Sequence, residues 1–66
     1  MPTYQKIKSY IIDHGMIQKS IARKANIPYV AFNAMLNGKR KIYVDELVAI
    51  CCVLNVSPEF FITWKS

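Results

Sequence analysis

The chain has 66 residues, 53% of them hydrophobic, and carries a net charge of +5 from nine Lys and Arg against four acids. That length allows one domain, residues 1–66, able to bury only about 60% of its unfolded surface, which leaves little room to enclose a catalytic pocket. The charge attracts polyanions at long range, and no apolar run approaches the roughly 18 residues of a membrane span.

The opening MPTYQKIKSY has no signal-peptide hydrophobic segment, so a cytoplasmic protein is expected. After Pro2 and a possible Thr3 cap, residues 4–14 read as a first helix, with Ile7, Tyr10, Ile11 and His14 at three- and four-residue spacing. Gly15 ends it. Lys6 and Lys8 point away from the Ile7 and Ile11 stripe, as on a solvated face. His14 stands beside the pole of the helix dipole that favours a cation.

A second helix over 18–25 gathers Ile21, Ala22 and Ala25 on one narrow face and Lys19 and Arg23 on another. Two of the three buried-face residues are alanine, which lets another helix approach closely. Asn26, Ile27 and Pro28 follow. Asn tolerates the left-handed conformation of a tight turn, Ile27 can plug the gap between helices, and Pro28 is preset for a helix's first position.

A third helix, from 28 or 29 to 37, puts Ala31, Phe32, Met35 and Leu36 on a core arc and Tyr29, Val30, Asn33, Ala34 and Asn37 on the opposite one. No acid occurs in it, so this arc can approach a nucleic acid without repelling it. Gly38 stops the helix, and Lys39, Arg40 and Lys41 follow at once.

The fourth helix, over 44–54, opens with Asp45 and Glu46 near the positive pole of its dipole and carries a core stripe of Leu47, Ile50, Cys51 and Leu54. Every residue from 47 to 54 is apolar, so its back, with Ala49, Cys52 and Val53, requires a cover. Cys51 and Cys52 are adjacent, offer neither a disulfide framework nor zinc spacing, and read as packing thiols. Asn55 and Val56 make a turn, and Ser57, Pro58 and Glu59 signal a last helix from 58 to 62 or 63. Phe60, Phe61, Ile62 and Trp64 exceed what that short helix needs for its own burial; part should cover the fourth helix, and Phe61 and Trp64 are possible dimer contacts. The fold expected is all-α, five short helices with a central helix-turn-helix at about 18–37.

Taken together, Gln18, Ile21, Ala22, Ala25, Ile27, Phe32, the run Asn37-Gly38-Lys39-Arg40-Lys41, then Leu47, Ile50, Leu54 and Val56-Ser57-Pro58-Glu59-Phe60-Phe61 resemble the Cro and C1 repressor family of phage and bacterial regulators. This is the xenobiotic-response-element-like helix-turn-helix class, with a lambda-repressor-like fold. The resemblance covers nearly everything from 18 to 61. It implies that Gln18 binds a phosphate, that Tyr29, Val30, Asn33 and Ala34 read bases, and that Asn37, Lys39, Arg40 and Lys41 form a second set of phosphate contacts. The second helix would then cross the DNA backbone while the third enters the major groove. Where the family usually has a capping hydroxyl, this chain has Ile17, Pro28 and Tyr43, and Asn26 replaces the usual turn glycine. Losing a cap typically costs about 1 kcal/mol, which other groups or apolar contacts must offset.

Of the base-reading set only Asn33 has the two-pronged amide that pairs with adenine. Val30 and Ala34 can touch thymine methyls, the Tyr29 hydroxyl suits a base or a phosphate, and Tyr43 is either a phosphate contact or a packed surface aromatic. The partners expected are a double-stranded DNA operator and a second copy of the chain, at least on DNA, with no membrane, small-molecule ligand, cofactor or metal. The function expected is a Cro-like repressor of a phage, prophage or mobile element, associated with the bacterial nucleoid. The alternative is a protein-interaction module of antitoxin or anti-repressor type, for which the apolar Ile17, Tyr29, Val30, Ile42 and Tyr43 would supply a rim. An enzyme is not expected, because no acid-base or nucleophile-base pair is visible.

Overall fold

The computed structural model describes residues 2–62. Within them lie four α-helices, α1 (Thr3–Asp13), α2 (Gln18–Lys24), α3 (Tyr29–Leu36) and α4 (Val44–Leu54), followed by one 3₁₀ turn at Pro58–Phe60. The all-α class stands, but the fifth α-helix expected over 58 to 62 or 63 is corrected to this turn. Phe60 and Phe61 donate their amides to the carbonyls of Ser57 and Pro58, three residues back. That tighter winding swings Phe61 into the core. The Ser57 hydroxyl accepts the Glu59 amide at 3.4 Å, the capping role expected of it.

All four helices stop in the same way. A residue with positive φ follows each last turn: Gly15 (63°), Asn26 (61°), Gly38 (73°) and Asn55 (60°). Each time, that residue's amide and the next reach back to two carbonyls of the helix. After α2, Asn26 donates to Arg23 and Ile27 to Ala22; after α3, Gly38 donates to Met35 and Lys39 to Ala34. After α1 the pair is Gly15 to Ile12 with Met16 to Ile11, and after α4 it is Asn55 to Cys52 with Val56 to Cys51. This paired closure satisfies carbonyls that a helix end would otherwise leave bare.

The starts are weaker. The residues preceding the four helices, Pro2, Ile17, Pro28 and Tyr43, provide no side-chain cap. Thr3, expected as a cap, is instead the first residue of α1. Pro28, expected at the first helical position, stands one place earlier in extended backbone (φ −55°, ψ 137°). The Ala22–Ile27 bond fixes the turn so that the Pro28 carbonyl becomes the first acceptor of α3, taking the Phe32 amide at 2.9 Å. At α4 the acid three residues into the helix compensates. Glu46 Oε1 accepts the Tyr43 amide at 3.0 Å and pairs with the Arg40 guanidinium at 3.0 Å. The hydrogen bond from Arg40, then that from the Tyr43 amide, hold the Glu46 carboxyl below the usual carboxylate range.

The core is one apolar cluster. Ile7 and Ile11 of α1, Ile21 and Ala22 of α2, Phe32, Met35 and Leu36 of α3, Leu47, Ile50, Cys51 and Leu54 of α4, and the loop residues Ala25, Ile27 and Phe61 are all buried. Helix α3 packs on α1 and α2, and α4 packs on α2 and on the 3₁₀ turn. Phe61, expected at a dimer contact, is fully buried within its own chain, edge-on to Tyr10 at 5.7 Å. Phe60 next to it is the exposed aromatic. Trp64 lies outside the described residues. Burial pushes the Cys51 thiol up, whereas Cys52, about 100° further round the helix, is exposed. The expected cover over α4 reaches Ala49 and Val53 but leaves Val48 and Cys52 exposed.

Gly38 is the tightest of the four stops, because a Cβ there would lie 2.6 Å from Tyr4 Cζ as well as requiring φ of 73°. Gly38→Ala should therefore destabilise the fold by about 1–3 kcal/mol in urea unfolding, and the loss should be smaller in a Tyr4→Ala background. A second outcome concerns pH. Because the Glu46 carboxyl is lowered in the folded state, its contribution is present above the ordinary carboxyl range and lost as pH falls through its folded value. Glu46→Gln should flatten the fall in melting temperature between about pH 6 and about pH 3; an unchanged acid limb would show that Glu46 carries no such role.

Candidate nucleic-acid interface

The residues that hold the helix-turn-helix lie in a stretch without acids. From residue 14 to residue 44 there are six Lys and Arg and no Asp or Glu. All four acids lie outside it, at Asp13, Asp45, Glu46 and Glu59. The helix-turn-helix therefore presents a one-sign surface, which raises the local attraction for a polyanion.

Helix α3 exposes Tyr29 and Val30, the latter at 80%, while Asn33 and Ala34 behind them are half-buried. Asn37 at its end is exposed, and Lys39 and Lys41 are exposed beyond Gly38. The exposed side of α3 thus continues without a break into the basic turn. Across the helix-turn-helix, the Lys19 ammonium lies 5.7 Å from the centre of the Tyr29 ring. A cation held against an aromatic face ties the first turn of α2 to the first turn of α3. Gln18, the first residue of α2, is half-buried.

At the other end of α3, side chains from three turns of two helices meet. Lys8 Nζ donates to Asn37 Oδ1 at 3.1 Å. Asn37 Nδ2 in turn donates to the Asn33 carbonyl at 2.9 Å and to Asn33 Oδ1 at 3.2 Å. Asn37, expected at a phosphate, is thus turned toward Asn33. Arg40, also expected at a phosphate, has its Nη1 engaged with Glu46 and with the Lys41 carbonyl, and its guanidinium carbon lies 5.8 Å from the Tyr43 ring centre. Glu46 raises the Arg40 pKa further, so this group is a permanent cation.

The four expected base-reading residues therefore share one helix, and Lys39, Arg40, Lys41 and Tyr43 follow it directly. Gln18 lies on the neighbouring helix. Two further residues join them that sequence spacing did not single out. Lys19 is one, and its proximity to Tyr29 depends on how α2 and α3 cross. Lys8 is the other, separated from Asn37 by 29 positions, with no periodicity to link them. Among the described residues no group of three His, Cys, Asp or Glu could hold a metal ion, and no helix is long and apolar enough to cross a membrane.

No curated protein and no solved structure matches the chain. The Cro/C1-type HTH DNA-binding domain, as a family, matches residues 6–65. That span takes in all four helices but the first three residues of α1, together with the acid-free surface around α3. The chain is therefore a DNA-binding helix-turn-helix domain and belongs to the Cro/C1-type family.

Proposed function

We propose that the protein is a sequence-specific transcriptional regulator, a Cro-like repressor of a phage, prophage or mobile element, that occupies an operator with α3 in the major groove. The observation that carries this reading is the continuity of the acid-free α3 face with Lys39, Arg40 and Lys41. Base edges meet Tyr29, Val30, Asn33 and Ala34, with Asn33 as the hydrogen-bonding reader and Val30 and Ala34 as methyl contacts. Phosphates meet Gln18, Lys39, Lys41, Tyr43 and the guanidinium donors of Arg40 not facing Glu46. Asn37, whose donors face Asn33, leaves the phosphate set. One such face reads few base pairs, so the operator is bound by two copies reading half-sites about 34 Å apart. Action in the bacterial cytoplasm, at the nucleoid, follows from that role.

The exposed Ile17, Val30 and Val44 favour a second reading, an interaction module of antitoxin or anti-repressor type on the same scaffold. Failure to shift any duplex at physiological salt, together with a stable protein partner, would decide for it.

The regulator reading separates two classes of substitution. Asn33→Ala should erase the preference at one base pair, worth about 1–3 kcal/mol, and leave random-duplex binding nearly unchanged. Lys39→Ala should weaken specific and random duplexes alike and lower the slope of log K against log salt by about one. Equal losses on both kinds of duplex from both substitutions would refute base reading by Asn33.

A further inference from the structure

The two ends of an asparagine carboxamide are nearly isosteric, and only their hydrogen-bond partners decide which end points where. In this chain the decision is shared between a lysine of α1 and a backbone carbonyl of α3. A lysine ammonium is a donor with no acceptor, so Lys8 at 3.1 Å admits only the oxygen of Asn37. The Asn33 carbonyl, an acceptor only, takes Asn37 Nδ2 at 2.9 Å, so Lys8 and that carbonyl act from the two ends of one amide and together aim Nδ2 at Asn33 Oδ1. Asn33 must then offer its own oxygen to Asn37, and its Nδ2 is directed the other way.

We infer that Lys8 is a specificity-determining positioning residue, which through Asn37 fixes the orientation in which Asn33 presents its carboxamide to a base. This rests on the reading of Asn33 as a base contact. Lys8 does not touch the base. It adds to the Asn33 carbonyl the second bond that opposes a flip of Asn37, so that Asn33 meets the groove in one orientation instead of two. A flipped Asn33 would exchange donor for acceptor and prefer a different base edge, so loss of the relay blurs the preference without removing the reader. The rest of α1 supports the arrangement. Tyr4, one turn before Lys8, packs over Gly38, so two successive turns of α1 hold the end of α3.

The test uses the full chain and a site recovered from a random duplex library. The base pair read by Asn33 is the one whose preference Asn33→Ala abolishes. Affinity for the four duplexes differing at that pair is then measured for the wild type, Lys8→Met, Lys8→Arg and the Lys8→Met/Asn33→Ala double variant. Lys8→Met should reduce the preference at that pair by about fivefold or more, Lys8→Arg should retain it because a guanidinium is also donor-only, and Lys8→Met should remove no further preference once Asn33 is alanine. A loss that is uniform over the four duplexes, with the salt slope lowered by about one, would assign Lys8 to a phosphate and overturn the inference. The side-chain amide resonances of Asn33 and Asn37 in the free protein give an independent reading. They should move in Lys8→Met and return in Lys8→Arg, and unmoved resonances would refute the relay whether or not DNA binds. Absence of duplex binding by every variant, wild type included, would instead refute the function proposed for the site, and this specificity role with it.

Discussion

Four left-handed residues shape this domain. Its helices run from seven to eleven residues, lengths at which isolated helices are marginal in water. They persist because each is broken sharply and folded back on the others before its apolar stripe runs out. Gly15, Asn26, Gly38 and Asn55 supply the break, and the paired amide-to-carbonyl closure after each keeps the end from fraying. Asn26 holds the turn between α2 and α3, and so sets how the exposed helix stands on its support. Gly38 ends α3 under the Tyr4 ring and lets the chain leave directly into Lys39, Arg40 and Lys41.

The helix starts follow a different logic, in which local capping gives way to tertiary contact. Ile17, Pro28 and Tyr43 place no hydroxyl or carboxylate at the ends of α2, α3 and α4. For α2 and α3 the preceding side chain makes no cap hydrogen bond to the first amides. The start of α4 is closed by Glu46, which also holds Arg40. The same acid therefore completes a helix and restrains the central cation of the basic turn. Since every acid lies outside residues 14–44, Glu46 is the point where the fold's own electrostatics meet the surface offered to DNA.

Local features were legible in the sequence because their causes are local. Residue type alone marks Asn26 and Gly38 as stops, and helical periodicity marks the core arc of Phe32, Met35 and Leu36. The bounds of α4 needed only its charged start and its apolar run. What escaped depends on winding and on distance along the chain. The excess of aromatics after Pro58 makes Phe61 a possible dimer contact in the sequence, whereas the 3₁₀ turn rotates each residue further than an α-helix and sends Phe61, not Phe60, into the core. The composition of its run points Cys52 to packing, but its position round α4 leaves it exposed. For the candidate site, the order of the α3 residues and the basic turn is readable, while the turning of the exposed Asn37 toward Asn33 is not. A carboxamide's direction is set by whatever donors and acceptors reach it, and here one of them lies four positions back, at Asn33, and the other on α1, 29 positions away.

The division of labour in so small a domain follows from that last contact. A thin core leaves little rigid structure behind the exposed face of α3, and the face itself has one carboxamide among small and apolar neighbours. A longer or more polar reader would add contacts but also rotamers, each of which must be ordered on binding at a cost in entropy. Asn33 has few rotamers, is half-buried, and is bonded on its oxygen, so in the proposed role part of that ordering precedes contact with DNA. That bond comes from Asn37, which is itself held by Lys8 from outside the helix-turn-helix. Helix α1, which contributes Ile7 and Ile11 to the core, thereby also bonds the side chains at the end of α3, and on the proposed reading of Asn33 the support and the reading face are one mechanical unit rather than a platform with a separate probe.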